Sequence, residues 1–308
     1  MNFSVIIPTR DRAEILIRAI DSVLAQDSGD FELIVVDDGS TDDTSQRVAE
    51  RAADPRLRLI QQPRMGAAVA RNTGAEAAGG RFLLFLDSDD ELTTDALSIF
   101  DRLLSDTPTA AVACTSADEF LHDGSFRRHL APRTLGPAYH YQSGQFLAGT
   151  FVVARDVFEA VGRFASACRS SQHSELALRL ADHCQESGRE MITADQTTVR
   201  IHAHSGSHLR DDPQRLLDGA EFILREHHAR LGRSPRQLAD WHTVAGVYST
   251  RLSRPANARR HFARAWWVHP VRPRRLARWL ISCVPALARR LWIPQTVATS
   301  SDGDPSVD

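Results

Sequence analysis

The residues in this sequence best suited to chemistry are aspartates that stand directly after short apolar runs. Asp38 lies just beyond the run 33–36, and Asp87 and Asp89 lie just beyond the run 82–86. Side chains two residues apart beyond a strand can point the same way, so Asp87 and Asp89 can share one divalent cation. Carboxylate oxygens are the ligands that Mg²⁺ and Mn²⁺ prefer, and such a cation can neutralise a diphosphate.

Structural roles for the same residues remain open from the sequence. Asp89 and Asp90 could cap the next helix, with Asp87 as a turn former. A hydroxyl at position 40 or 41 could cap the helix after the earlier run. Capping does not explain Asp38, whose carboxylate could accept a hydrogen bond from an N–H group of a nucleotide base.

The elements around these aspartates must position them. Apolar runs with β-branched residues predict strands, and helical periodicity alternates with them at 13–26, 44–53 and 66–78. The predicted strands are Phe3–Ile7, Leu33–Val36, Leu57–Ile60 and Phe82–Leu86. This order predicts an α/β fold with a Rossmann-like, mostly parallel sheet flanked by helices. Ligands bind such sheets beyond the carboxyl ends of the strands, where Thr9 would join the aspartates.

The rest of the chain predicts three regions: an α/β domain at 1–210, a helical extension at 211–294 and a disordered tail at 295–308. Further strands are expected near 111–113, 151–154 and 197–201, with a helix near 174–186. Apolar stripes then predict helices at 216–226, 236–248, 257–267 and 274–291.

Composition excludes several classes of protein. With 308 residues, 42% of them hydrophobic, the chain can form a full core. Its four cysteines are widely spaced, and no apolar stretch approaches the ~20 residues that span a bilayer, so a reduced cytoplasmic protein is expected. All 37 basic residues are arginine, and the absence of lysine argues against a nucleotidyltransferase with a lysine-bearing phosphate loop.

Five motifs in the first ninety residues resemble family 2 of the GT-A glycosyltransferases in order and spacing. They are SVIIPTRDR at 4–12, SVLAQ at 22–26, VVDDGSTD at 35–42, GAAVARNTG at 66–74 and FLDSDD at 85–90. The resemblance implies a GT-A fold and an inverting transfer of a sugar from a nucleotide-diphosphate donor, most often a UDP-sugar, to a hydroxyl acceptor. It places Thr9, Asp38 and Arg71 at the nucleoside, and Asp87 and Asp89 at the ribose, diphosphate and metal. Further nucleotide contacts are expected from Pro8, Arg10 and Ser88.

The pattern departs from the family at the base that removes the proton from the acceptor hydroxyl. In the family this base is the aspartate of a Glu-Asp pair before a helix of the form Glu-Leu-x-Leu-Arg-Leu. Residues 175–180 match that helix, but the pair aligns with Gln172 and His173. His173 could be the base, because neutral imidazole accepts a proton near pH 7. Alternatively Glu175 turns into the cleft, or the protein binds nucleotide without turnover and acts through its helical extension.

Three more residues belong to the expected site. The resemblance places His202 near the diphosphate or metal, and Gly149 and Thr150 at the acceptor. A dedicated zinc site among the histidines at 202, 204 and 208 is not expected, since no cysteine or carboxylate set accompanies them.

The segment 254–294 holds ten arginines and no acidic residue, mixed with tryptophans and leucines. Such a mixture suits an anionic lipid surface, and a lipid-linked saccharide acceptor would bring the protein to the inner face of the cell membrane. The alternative is a helix that packs its apolar stripe on the α/β domain and leaves its arginines in water. A nucleic-acid partner is not expected.

Overall fold

The computed structural model describes residues 1–202, 212–284 and 287. The first half of the chain alternates strands and helices, as the sequence predicts. Its elements are β1 (Phe3–Thr9), α1 (Ala13–Leu24), β2 (Phe31–Asp37), α2 (Thr44–Ala49), β3 (Leu57–Gln61), α3 (Ala67–Ala77) and β4 (Phe82–Phe85). Every residue of β1, β2 and β4 is buried, because the sheet is covered on both faces.

The middle of the chain adds strands that the sequence predicts only in part. Its elements are β5 (Glu91–Leu92), α4 (Ala96–Asp106), β6 (Ala110–Phe120), β7 (Phe126–Leu130), β8 (Arg133–Thr134), β9 (Ser143–Gly144), β10 (Phe151–Ala154), α5 (Arg155–Ala160), α6 (Gln172–Ser187) and β11 (Glu190–His202). Strands β6 and β11 are far longer than the apolar runs at 111–113 and 197–201, because they continue into partly exposed, polar sequence.

The main sheet is mixed. Its strands follow the order β3-β2-β1-β4-β10-β6-β11-β5, with β7 paired to β6 outside this path. Strands β3, β2, β1 and β4 are parallel, whereas β10 runs antiparallel between β4 and β6. Since β10 begins where β4 ends, the residues just before β10 reach the edge of the sheet at which the aspartates stand.

Residues 212–284 contain five helices: α7 (Pro213–Glu226), α8 (His228–Gly232), α9 (Pro235–Arg251), α10 (Pro255–Val268) and α11 (Pro273–Ser282). Proline occupies the first turn of α7, α9, α10 and α11, where its missing N–H costs no hydrogen bond. Helix α11 ends at Ser282, shortly before Pro285, in keeping with the bias against helical backbone before proline. Residues 285, 286 and 288–291 of the helix predicted at 274–291 lie outside the described residues. The predicted tail at 295–308 lies outside the described residues.

The C-terminal helices pack on the α/β part through α6. His227 shares a hydrogen bond with Glu175 at 2.9 Å, and Arg233 donates to Asp182 at 3.1 Å. Gln237 also donates to the carbonyl of Leu135. Within the described residues, no helix is both long and apolar enough to cross a membrane.

Candidate functional site

A cavity of about 890 Å³ opens at the carboxyl ends of β1, β2 and β4. Of the residues expected in the site, its lining contains Pro8, Thr9, Arg10, Asp38, Arg71, Asp87, Ser88, Asp89 and His202. Wall residues for which the sequence analysis predicted no role in the site are Asp11, Arg12, Arg64, Gly66, Ala67, Asp90, Glu119, Arg127, Ile201, Asp212 and Arg215. The converging strand ends therefore assemble the cavity, and the β6–β7 hairpin and α7 complete it.

Three aspartates form one group in this cavity. Asp87, Asp89 and Asp90 each offer a carboxylate oxygen within 4.8 Å of the others. Asp89 and Asp90 do not cap a helix, since β5 follows them and α4 begins only at residue 96. Oxygen donors this close together fit a hard cation such as Mg²⁺ or Mn²⁺.

Two arginines form ion pairs with this group. Arg71 is buried and donates to Asp87 at 2.6 Å, while Arg12 pairs with Asp89 at 2.7 Å. Burial acts to raise the pKa of Asp87, but the positive charges around it, Arg71 first among them, outweigh burial and hold that pKa below its usual range. The carboxylate is thus ionised and able to bind a cation at physiological pH.

Asp38 fixes the loop that leads into α3. Its two carboxylate oxygens accept hydrogen bonds from the backbone N–H groups of Met65 and Gly66, each at 2.7 Å, and from the side chain of Gln62. This loop starts the helix that carries Arg71. Asp38 also lines the cavity, and a carboxylate has about four acceptor positions, so a further donor can still reach it.

Among the described residues, two polar atoms near the expected nucleoside have no hydrogen-bond partner. They are the buried hydroxyl of Thr9 and the Nε atom of Arg71. Buried polar atoms are nearly always hydrogen-bonded, so each of these atoms marks a place where a polar ligand fits.

His173 lies at the start of α6, within electrostatic reach of Asp87 and Arg71, but it does not line the cavity. Its ring packs edge-on against Phe151 and Phe164, with centroids 5.7 and 5.5 Å away. Burial and then the charge of Arg71 lower the pKa of His173 to about 3, although Asp87 acts in the opposite direction. The ring is therefore neutral at physiological pH, and its Nε2 atom has no partner among the described residues.

Comparison with known proteins identifies the family. The model of the family described as glycosyl transferase family 2 matches residues 4–171, more than half of the chain. The chain belongs to glycosyl transferase family 2. WcaA of Escherichia coli K12, named for colanic acid biosynthesis, is 26% identical over 241 residues, covering 76% of this chain and 84% of WcaA.

Other relatives of this family 2 member match over shorter stretches. A GalNAc(5)-diNAcBac-PP-undecaprenol beta-1,3-glucosyltransferase of Campylobacter jejuni is 44% identical over 98 residues, 31% of this chain and 32% of that protein. Two uncharacterized Rickettsia glycosyltransferases, also 44% identical, match over only 16% of their own length.

The fold has a solved counterpart. The structure of S. aureus TarS 1-349 in complex with UDP-GlcNAc has a TM-score of 0.63, covers 94% of this chain and 88% of that chain, and is 19% identical. This likeness confirms the predicted GT-A fold, with its helical C-terminal part.

Glu175 is not placed to act as the base of this family 2 site. Its carboxylate is 2% exposed and lies between α6 and the C-terminal helices. Arg179 donates to it at 2.8 Å, and His227, between α7 and α8, contacts it at 2.9 Å. Because both partners hold it inside the protein, the structure argues against the alternative in which Glu175 turns into the cleft.

Gly149 and Thr150 lie just before β10, and neither lines the cavity. Thr150 has no exposed surface, and its hydroxyl is bonded within its own loop, accepting from the N–H of Leu147 at 3.0 Å. Gly149 adopts a φ of 78°, and a Cβ atom there would lie 2.6 Å from Val199. The expected acceptor contacts are therefore packing residues in this structure.

His202 lies in the cavity wall, outside the aspartate group. Its backbone N–H donates to Asp90 at 3.1 Å, and its Nε2 atom contacts Glu91 at 2.8 Å. Its ring stacks on Phe120. In this position His202 braces Asp90, and the histidines at 204 and 208 lie outside the described residues.

Proposed function

We propose that this family 2 member transfers a sugar from a UDP-sugar to a hydroxyl group of a saccharide acceptor, with inversion at the anomeric carbon and with help from a divalent metal ion. The observation that carries the proposal is the group of three aspartates, backed by arginines, in a cavity of about 890 Å³ at the strand ends. The uridine base is supported by the UDP-GlcNAc named for TarS, whose fold this chain shares.

The donor would lie across the cavity. Asp38, Thr9 and Arg71 would bind the nucleoside, because each offers an acceptor or donor there. Asp87 and Asp89, together with Asp90, would hold Mn²⁺ or Mg²⁺. When bound, the metal ion neutralises charge on the diphosphate and so makes it a better leaving group.

His173 is the proposed base, acting through the nitrogen that has no partner among the described residues. The acceptor oxygen forms a bond to the anomeric carbon while the bond from that carbon to the diphosphate breaks, and the acceptor proton passes to the imidazole. A pKa of about 3 makes the ring a weak base, similar in strength to the carboxylate that the family uses.

The acceptor is proposed to be a glycan or a lipid-linked glycan, reached at the inner face of the cell membrane. The support is the name of the Campylobacter jejuni relative, which describes an undecaprenol-linked acceptor. The basic C-terminal segment supplies a second reason, since its positive charge complements the negative charge of an anionic membrane.

Donor turnover tests this function. The purified chain is incubated with a panel of UDP-sugars and Mn²⁺, free UDP is measured, and a chelator is added in a parallel reaction. We expect slow UDP release from one donor that stops with the chelator, and a product of inverted configuration by NMR once an acceptor is found. Binding of UDP without release from any donor, with or without saccharide acceptors, would instead favour a silent nucleotide-binding protein.

A further inference from the structure

Helix α11 and the turn that follows it leave apolar side chains exposed. Leu280 on the helix is 53% exposed, and Val284 in the turn that follows is 51% exposed. Leu276 and Ile281 flank them and are only partly buried. Residues three and four apart share one face of a helix, so these side chains form an outward apolar strip.

The opposite face of α11 anchors the helix through polar groups. Arg275 is only 3% exposed, and its guanidinium donates to Asp240 on α9 at 2.7 Å and to the carbonyl of His269 at 3.0 Å. Ser282 is also buried on this side. A helix on the surface of a globular protein normally buries its apolar stripe, whereas here Leu280 and Val284 stay exposed beside a buried arginine.

Exposed basic and aromatic residues also occur at the start of α11 and on α10. Arg272 and Arg274 at the start of α11 are exposed. On α10, which packs against α11, Arg264 is exposed one turn before Trp267, itself 86% exposed. No acidic residue occurs between positions 254 and 284. Apolar and tryptophan side chains bordered by arginines match the interface of an anionic bilayer.

We propose that the outward face of α11, together with Trp267 and the exposed arginines of α10 and α11, is a docking surface for an anionic lipid bilayer. A second copy of the chain fits less well, because a two-fold contact would set these arginines against their own copies. Only the use of this surface to reach a lipid-linked acceptor rests on the proposed function, since lipid binding itself needs neither donor nor acceptor.

Vesicle co-sedimentation of the full chain tests the surface. Vesicles are made of phosphatidylcholine alone or of equal parts of phosphatidylcholine and phosphatidylglycerol. We expect binding to the phosphatidylglycerol vesicles that weakens with salt, and a loss of at least about tenfold in the double variant Leu280→Glu/Val284→Glu.

A matched control carries the same change of charge elsewhere. Ile15→Glu/Leu121→Glu replaces two exposed apolar residues, 36% and 40% exposed, and is expected to change binding by less than about twofold. Circular dichroism of both variants checks that they fold.

Several results would overturn the proposal. The first two are equal binding of the wild type to both kinds of vesicle and an equal loss of vesicle binding in the two variants. The others are a wild-type dimer that dissociates only in the α11 variant, and vesicle binding that appears only after residues 288–308 are removed. UDP affinity is measured on the same samples, so a failure of donor binding would count against the proposed function and leave the lipid result intact.

Discussion

At the scale of single residues, Arg71 links the aspartate group to the start of α6. Arg71 reaches both Asp87 and Gln172, donating to the latter at 2.7 Å. Gln172 stands where the family pattern has a glutamate, so Arg71 meets one carboxylate and one neutral amide here. The replacement of the Glu-Asp pair thus leaves Arg71 paired chiefly with the aspartate that is expected to face the donor.

The first prediction concerns His173. Replacing it with alanine should leave the UDP affinity within about twofold of the wild-type value and lower donor turnover by 10²–10⁴, roughly the share of a general base. The matched control is His228→Ala on α8, an exposed histidine. Calorimetry measures binding, and UDP release measures turnover. Full turnover in the His173 variant would remove this residue as the base.

The sequence predicts the residues that directly follow a strand, and it does less well elsewhere. Asp87, Asp89 and Asp38 lie in the cavity because strand ends fix their positions. The sequence predicts Asp90 as a possible helix cap, but the residue that follows it begins the short strand β5, and Asp90 belongs to the aspartate group. A strand of two residues leaves no periodic pattern in the sequence. The sequence leaves Glu175 open as an alternative base because one of its two partners, His227, lies 52 residues later in the chain.

At the scale of elements, α6 joins the two parts of the molecule. It begins near Asp87 with His173, and farther along it Asp182 pairs with Arg230 of α8. The segment just before α6 contacts α7. Gly219 on α7 allows the closest approach, since a Cβ atom there would lie 2.7 Å from the backbone oxygen of Ser170. A change at this contact should therefore be felt at the site as well as in stability.

The second prediction is made for that contact. In Gly219→Ala, overpacking should lower the free energy of unfolding by about 1–3 kcal/mol, and the higher helix propensity of alanine should offset ~1 kcal/mol of that loss. The same change should also slow turnover. The control is Gly232→Ala in α8, where no atom lies within 4 Å of the added Cβ. Urea denaturation compares them, and equal stabilities would show that α7 does not pack as described.

The third prediction concerns two buried histidines between α9 and α10. The Nδ1 atoms of His242 and His261 lie 3.1 Å apart. Burial, and then the charges of His261 and Arg264, lower the pKa of His242 from 6.5 to about 4. An unfolded chain takes up this proton near pH 6.5, whereas the folded chain resists it, so stability falls as the pH drops from about 6.5 to about 4.

His242→Gln should flatten that dependence, since a shift of this size corresponds to about 3 kcal/mol. His173 contributes in the same pH range, so the informative quantity is the difference between wild type and variant in unfolding free energy at pH 7 and pH 5. Parallel curves for the two proteins would mean that His242 is not held neutral by the helices.

The strands show why element prediction succeeded in one half of the fold. Strands β1, β2 and β4 are buried on both faces, whereas the edge strand β3 is only partly buried. The apolar runs of all four strands are visible without any knowledge of partners. The antiparallel direction of β10 and the exposed strand β7 depend on pairing with β6, which no local pattern records. Likewise, the stripe of α11 was visible, but the Arg275–Asp240 pair decides which side faces the protein.

At the scale of the whole molecule, the chain combines a cavity lined by aspartates and arginines with a C-terminal part that exposes apolar and basic residues. The family and fold are established by the match over residues 4–171 and by the likeness to TarS. The central claim is that the aspartate group binds a metal ion and, through it, the nucleotide diphosphate.

Calorimetric titration of UDP, with and without Mn²⁺, tests this claim most directly. For the wild type we predict that Mn²⁺ raises the affinity for UDP at least about tenfold. Asp89→Ala should abolish this increase. The control variant Asp106→Ala, which changes an exposed aspartate on α4, should keep it. Equal affinity with and without Mn²⁺ in the wild type, or an unchanged increase in Asp89→Ala, would contradict the account.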